Sequence, residues 1–235
     1  MKATAKRTLT PRAVVLATAA AVALIGGTGA ATAFADDDGG PAPQSSVQLS
    51  HNERHLDDTA KDRAQVKADK ISQSQATAKA LQAVPGTATS AELDNDDRNG
   101  SLVWEAEVFG KDHKNHEVII DAGSGKALSQ HTDRDDDAAQ DAAETQALLK
   151  TDNTGHDNAT DQALKAVPGT VVSYSLDDNA DRNGSLIWEV DVLGKDHKSH
   201  DVTIDAASGK ILNQHVDHDD NDSQGDNDGD DGDDD

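Results

Sequence analysis

Histidine and carboxylate side chains are the groups in this chain whose types and spacing could support chemistry. Two segments of the form Lys-Asp-His-Lys-x-His carry four candidate metal ligands, His113, His116, His197 and His200. Imidazole is a common ligand of zinc, copper and nickel. However, residues three apart on a regular strand point to opposite faces, and two histidines fall short of the ligands a zinc site needs. We therefore predict no metal centre and keep these four histidines as the candidates to test.

Two turns look like the start of a calcium-binding loop. Residues 95–100 and 179–184 both read Asn-x-Asp-x-Asn-Gly. The acid that should close such a loop falls one place early, at Glu105 and Glu189, and strands rather than helices flank the turn. Because Asn-Gly is a strong hairpin signal, we predict hairpin turns here.

The remaining candidates for chemistry are predicted to be structural. Asp121 and Asp205 each precede a glycine by four positions, and an Asp in such a turn accepts backbone N–H groups. Trp104 and Trp188 follow the apolar phase of their strands, which makes them core anchors. No Ser/His/Asp order, phosphate loop or persuasive carboxylate pair is present. We therefore predict that the protein is not an enzyme and uses no cofactor.

The chain contains one unit twice. Residues 97–133 return as residues 181–217 with 26 of 37 positions identical. Residues 80–87 return as residues 163–170 with an offset of 83 instead of 84, so one residue was gained or lost in the turn between. A duplicated unit of this length is a module that folds around its own helix and strands, not one repeat of a solenoid.

Each copy has the pattern of a helix followed by a meander of strands. Ser72 and Gln75 form a capping box, and Pro85 ends the helix. Polar and apolar residues then alternate with the period of half-buried strands. In the second copy the helix is predicted to begin near Asp157. The fold class is therefore α+β, with two tandem modules, each a helix packed on an antiparallel four-stranded meander sheet. A folded core confined to one continuous sheet would contradict this separation.

The boundaries follow from composition. Residues 1–35 are predicted to be a signal peptide for the general secretory pathway, with a basic start, an apolar run and Ala33-Phe34-Ala35 as the cleavage site. An uncleaved anchor is the alternative. Residues 36–70 are predicted to be a polar segment that is disordered or loosely helical. The first module follows at residues 71–133, a helical linker at 134–153 and the second module at 154–217. Residues 218–235 are predicted to be a disordered acidic tail.

The net charge selects the class of partner. Cleavage of the leader removes four positive charges and no acid, which takes the formal charge from −24 to −28. Such a polyanion does not seek nucleic acid, whose binding requires Lys and Arg. It attracts cations or basic protein surfaces, and its Asp-rich tail is expected to bind calcium weakly. We expect no stable membrane insertion once the signal peptide is gone.

The residues of both copies resemble the PepSY domain. The similarity rests on a helix ending in Ala-Leu-x-Ala-Val-Pro-Gly, a strand with Trp-Glu-x-x-Val, and a closing Ile-Asp-Ala-x-Ser-Gly-Lys at residues 120–126 and 204–210. Serine stands where the family usually has threonine. The resemblance implies an extracytoplasmic, non-catalytic module that binds and restrains peptidases, and it offers no catalytic residues to carry over.

Two functions from different classes follow. The leading hypothesis is a secreted, non-catalytic binding and regulatory protein that restrains an extracytoplasmic peptidase. The alternative is an extracytoplasmic protein that binds or buffers divalent cations, calcium or zinc. The sequence does not identify the binding surface or the packing between the two modules.

Overall fold

The structure is a computed structural model that describes residues 44–95, 99–134, 136–179 and 185–216. These residues form four α-helices and an antiparallel sheet of eight strands. The predicted α+β class with two helix-plus-meander modules is confirmed. The signal peptide, the acidic tail and the centres of the two Asn-Gly turns lie outside the described residues.

Helices and strands follow the predicted order in each copy. In chain order the helices are α1 Asp58–Ala68, α2 Gln73–Ala83, α3 Ala138–Leu149 and α4 Gly155–Ala166. The strands of the first module are β1 Gly86–Asn95, β2 Leu102–Gly110, β3 Asn115–Asp121 and β4 Ala127–Thr132. Those of the second are β5 Gly169–Asn179, β6 Ser185–Gly194, β7 Ser199–Asp205 and β8 Ile211–Val216. A short 3-10 helix, Glu53–His55, precedes α1.

The starts of the two module helices differ. The Ser72–Gln75 capping box of α2 is present as predicted. The prediction that α4 begins near Asp157 is wrong by two residues, because the carboxylate of Asp152 accepts the N–H groups of Thr154 and Gly155 at 3.0 Å each. Those bonds satisfy donors at the start of the helix, a role that the hydroxyl of Ser72 fills in the first copy.

The two modules share one sheet. Its strand order is β4-β3-β2-β1-β5-β6-β7-β8, and β1 pairs with β5 in the antiparallel sense. The expectation that no continuous sheet joins the modules is therefore wrong. The two modules join because β1 would be an edge strand in an isolated first module, paired only with β2. The free side of an edge strand carries N–H and C=O groups that need partners. The first strand of the second module supplies them.

The core lies between the sheet and the helices α2 and α4, and it is continuous across both modules. Its largest fully buried side chains include Trp104, Trp188 and Tyr174. The predicted role of the two tryptophans as core anchors is confirmed. Tyr174 also crosses from one module to the other, because its hydroxyl lies 3.0 Å from Oγ1 of Thr77 on α2.

The segment before the first module is more ordered than predicted. Part of residues 36–70 packs tightly: Gln65 of α1 is buried and donates its side-chain N–H to Oδ1 of Asn95 at 3.2 Å, and Leu49 is buried as well. Of the two states predicted for this segment, the helical one is present as α1, and residues 44–50 are ordered as well. Polar contacts and the apolar side chains of Val47, Val66 and Ala68 together attach this segment to the core, although α1 has no continuous apolar stripe.

The linker predicted at residues 134–153 contains a helix, since α3 spans Ala138–Leu149. It packs on the first module through Ala142, which is buried. Within the described residues, every helix falls short of the length and apolar character that a membrane span requires.

Candidate functional site

One face of the sheet is covered by α2 and α4, and the opposite face carries carboxylates. Along β2, Trp104, Ala106 and Val108 belong to the core, so the alternating residues point the other way. The same alternation holds on the neighbouring strands. We call this surface the acidic face, and it comprises Glu92, Asp94, Glu105, Glu107, Glu117, Glu189, Asp191 and Asp201.

Carboxylates on the acidic face stand directly opposite one another across the strands. Glu92 pairs with Glu105, and Glu107 pairs with Glu117 in the register of the first module. Asp191 pairs with Asp201 in the second. Like charges in directly opposed positions destabilise a sheet. An arrangement that repeats in both modules at this energetic cost is a strong candidate for a binding surface.

Among these carboxyl groups, Glu105 has a strongly raised pKa. Its side chain is half-buried, and burial together with the neighbouring charges of Glu117, Asp94 and Glu92 raises its pKa to about 8. Burial is the first cause at Glu117 and Glu189 too, where the pKa is also raised. A carboxyl group of this kind gains most from a proton or from a positive group of a partner.

Helix α1 turns part of the acidic face into a cleft of about 260 Å³. Among its described lining residues are Asp58, Asp62, Glu92, Asp94 and Asp191, with the base Lys61. The Nζ atom of Lys61 lies 3.1 Å from Oδ1 of Asp94. The hydroxyls of Ser199 and Ser173 donate to Asp62 and Asp191, at 2.6 Å in each case.

The four candidate histidines are not brought together. His113 and His197 lie in the β2–β3 and β6–β7 turns with φ of 61° and 66°, and the Nδ1 atom of His113 is 3.1 Å from the side-chain amide of Gln146 on α3. His116 and His200 are buried where the next strands begin. Across the described chain, no three His, Asp or Glu side chains are grouped closely enough to hold a metal ion.

His116 and His200 close the turns in which they lie. The Nε2 atom of each ring is within 3.0–3.1 Å of the carboxylate of Asp112 or Asp196. The copies differ at the other ring nitrogen. Nδ1 of His116 is 3.1 Å from Oγ1 of Thr132, whereas Nδ1 of His200 is buried and has no hydrogen-bond partner among the described residues. The repeated histidine motif therefore has a structural role in both hairpins.

Asp121 has the role in the turn that its sequence predicts. It accepts the N–H groups of Gly123 and Ser124 and the hydroxyl of Ser124. Two further hydroxyls, from Ser45 and Ser46, donate to the same carboxylate at 2.8 and 2.9 Å. Although burial acts in the opposite direction, these hydrogen bonds lower the pKa of Asp121 to about 2.

Sequence reasoning missed the partners of the two tryptophans. The indole N–H of Trp104 donates to Asp69 at 3.3 Å, and that of Trp188 donates to Asp152 at 3.2 Å. The two aspartates are 83 positions apart, which is the offset of the helices. Extending the repeat upstream of residue 71 would have revealed them.

A protein-family match covers the same two modules. The family model described as "Peptidase propeptide and YPEB domain", PepSY, matches residues 70–131 and 156–215. The chain is similar to the uncharacterized protein YkoJ of Bacillus subtilis (strain 168), at 28% identity over 169 residues, which cover 72% of this chain and 88% of that protein. A candidate lipoprotein from Clostridium difficile 630, known from a crystal structure, matches at 21% identity over 63% of this chain and 95% of that one, with a TM-score of 0.39.

Proposed function

Because this chain belongs to the PepSY family, we propose that it is a non-catalytic binding and regulatory protein that works outside the cytoplasm and restrains an extracytoplasmic peptidase. The family match over both modules supports the regulatory role. The basic and apolar leader supports export.

The acidic face is the observation that carries the proposal. The opposed carboxyl groups of Glu92 and Glu105 repel one another when both are ionised, which is one reason that the pKa of Glu105 is raised. Basic side chains of a partner would remove that repulsion on binding, and complementary charge of this kind gives an interface its orientation and its association rate. The partner surface is therefore expected to be rich in Lys and Arg.

A capture experiment tests this proposal. The mature chain is used as bait in culture supernatant and envelope extract, and the eluate is assayed for peptidase activity with and without added bait. We expect capture of a peptidase whose activity falls when the bait is present. Recovery of no peptidase at any salt concentration would contradict the proposal.

A matched pair of variants locates the surface. Glu105→Gln with Glu117→Gln removes two carboxyl groups from the acidic face. Glu144→Gln with Asp161→Asn removes two carboxyl groups from exposed positions on α3 and α4. Capture should weaken for the first variant and persist for the second. Equal effects would show that total charge, not this face, attracts the partner.

Divalent-cation binding is the second candidate, and the same opposed carboxylates favour it. Calcium prefers carboxylate oxygens but needs six or more ligands. We therefore expect weak uptake, which falls mostly when residues 218–235 are deleted. Isothermal titration with calcium and zinc checks this expectation. Tight, stoichiometric zinc binding that His116→Ala and His200→Ala abolish would instead establish a histidine site.

A further inference from the structure

Residues 45–49 lie in a groove of the first module as an extended peptide, which we call the strap. Its side chains alternate: Ser45 and Leu49 are buried, Val47 packs against the core, and Ser46 and Gln48 are exposed. A period of two is the pattern of a strand that rests one face on a protein surface. The strap is thus held in the way that a bound peptide strand is held.

The main chain of the strap pairs with the start of β2. The N–H of Leu49 donates to the carbonyl of Gly100 at 2.8 Å, and the N–H of Leu102 donates to the carbonyl of Val47 at 3.0 Å. Gln48 and Ser101 form an antiparallel bridge. In peptide recognition by strand addition, such main-chain bonds give affinity and alternate side chains give specificity.

Two features make the groove selective. Asp121 accepts the hydroxyls of Ser45 and Ser46, so adjacent hydroxyl residues are recognised. Gly123 provides the space: a Cβ at this position would lie 2.3 Å from Oγ of Ser46 and 2.5 Å from Cγ2 of Val47. A Cβ there could not fit without displacing the side chains of Ser46 and Val47.

The second module carries the same framework without a matching occupant among its described residues. Asp205 accepts the N–H and the hydroxyl of Ser208 within its own turn. Ser185, the equivalent of buried Ser101, is exposed. The position of Gly123 is taken by Ala207, whose methyl group would occupy the place of the strap. The groove is therefore specific to the first module.

We propose that this groove is a peptide-binding site and that the strap is its built-in competitor. The ligand is an extended segment of a partner protein with two adjacent hydroxyl residues, then an aliphatic residue, any residue and a second aliphatic residue. A tethered strap acts at an effective concentration of the order of millimolar, so it holds the site closed until a partner displaces it. The site is separate from the acidic face and stands without it.

The test uses the full mature chain and a fluorescent synthetic peptide, Pro-Gln-Ser-Ser-Val-Gln-Leu-Ser, which reproduces residues 43–50. Val47→Asp places a charge against the core and loosens the strap. Anisotropy titration should show one peptide bound per chain, about tenfold or more tighter than to the wild type, whose tethered strap competes. Adding Gly123→Ala to Val47→Asp should abolish the gain, whereas adding Ala207→Val should leave it unchanged.

A second variant guards against misfolding. Ser45→Ala with Ser46→Ala weakens the strap without a buried charge and should also bind the peptide more tightly than the wild type. Folding is verified by circular dichroism. A folded chain of either kind that binds no more peptide than the wild type would overturn the proposal, as would binding that Gly123→Ala does not change. Capture of a peptidase through the acidic face depends on Glu105 and Glu117, so the two proposals fail separately.

Discussion

At the scale of single residues, two carboxyl groups with opposite pKa shifts contribute to the change of stability with pH in opposite directions. Burial and neighbouring acids raise the pKa of Glu105 to about 8, whereas hydrogen bonds lower that of Asp121 to about 2. A raised acid pKa means that the folded state binds the proton more tightly than the unfolded state, and a lowered pKa means the reverse. The two groups therefore act in different pH ranges.

Glu105→Gln should stabilise the protein in mildly alkaline solution. In the wild type, ionisation of Glu105 costs folding free energy as the pH rises from its ordinary pKa of 4.5, which holds in the unfolded chain, to its folded-state pKa of about 8. The variant cannot ionise there, so its stability should fall less over this range. Urea unfolding at pH 5 and pH 8 checks this, with Glu144→Gln as the control. A variant that loses stability as steeply as the wild type would refute the prediction.

Asp121→Asn should destabilise the protein at neutral pH by about 1.5–3 kcal/mol, the usual contribution of hydrogen bonds to a charged group. The contribution of Asp121 is fully present above its ordinary pKa of 3.8 and is lost as the pH falls towards its folded-state pKa of about 2. The gap between variant and wild type should therefore close in acid. Asp205→Asn is the comparison and should cost less, because no strap hydroxyls contact it. Equal losses in both variants would contradict this.

At the scale of elements, the β2–β3 and β6–β7 hairpins depend on a glycine that lies beneath an Asp–His contact. A Cβ at Gly110 would lie 2.4 Å from the carboxylate of Asp112 and 2.8 Å from Nε2 of His116. The same crowding occurs at Gly194 with Asp196 and His200. The motif Gly-Lys-Asp-His-Lys-x-His is thus one closed turn, repeated.

Gly110→Ala should break the Asp112–His116 contact and destabilise the protein by about 1–3 kcal/mol, the range for overpacking. Chemical denaturation gives the size of the loss, and the ring signals of His116 in an NMR titration show whether the contact is gone. Lys111→Ala, in the same turn, is the control. An unchanged His116 signal in the glycine variant would show that the contact survives.

The sequence predicts the helices and strands inside the modules better than the segments that connect to them. The alternation through Trp104 and the Ser72 capping box predicted strands and helix well, because local pattern determines them. Helix α1 was predicted only as a loose helix, because Gln65 and Lys61 attach it through polar contacts with partners about thirty residues away. The acidic face was hidden for a related reason, since facing pairs such as Glu92 and Glu105 depend on register.

At the scale of the whole molecule, the β1–β5 pairing makes two repeats one folding unit. Ala91 pairs with Tyr174 at the seam, and Tyr174 reaches Thr77 in the other module. A continuous core on one sheet should unfold cooperatively. The sequence could not show this, because neither copy contains a signal for which edge meets which.

Cooperative unfolding can be tested with the single tryptophan in each module. Trp104→Phe leaves only the tryptophan of the second module, and Trp188→Phe leaves only that of the first. In each variant we expect the unfolding transition measured by tryptophan fluorescence to coincide with the one measured by circular dichroism. Tyr174→Ala should reduce the free energy of unfolding by about 3–5 kcal/mol, as truncation of a buried aromatic does. Tyr174→Phe, which keeps the ring, is the matched control and should cost about 1 kcal/mol. Two separate transitions in either tryptophan variant would show independent modules.

The seam also bears on why the unit is duplicated within one chain. Ala91 and Tyr174 occupy equivalent positions of the two copies, 83 residues apart, and they face each other in the sheet. A dimer of identical single modules has two-fold symmetry, so the same residue must lie on both sides of its axis. A two-fold seam would set two tyrosines or two alanines opposite one another, not the unlike pair that is present. Covalent fusion removes that constraint and allows a large residue to meet a small one.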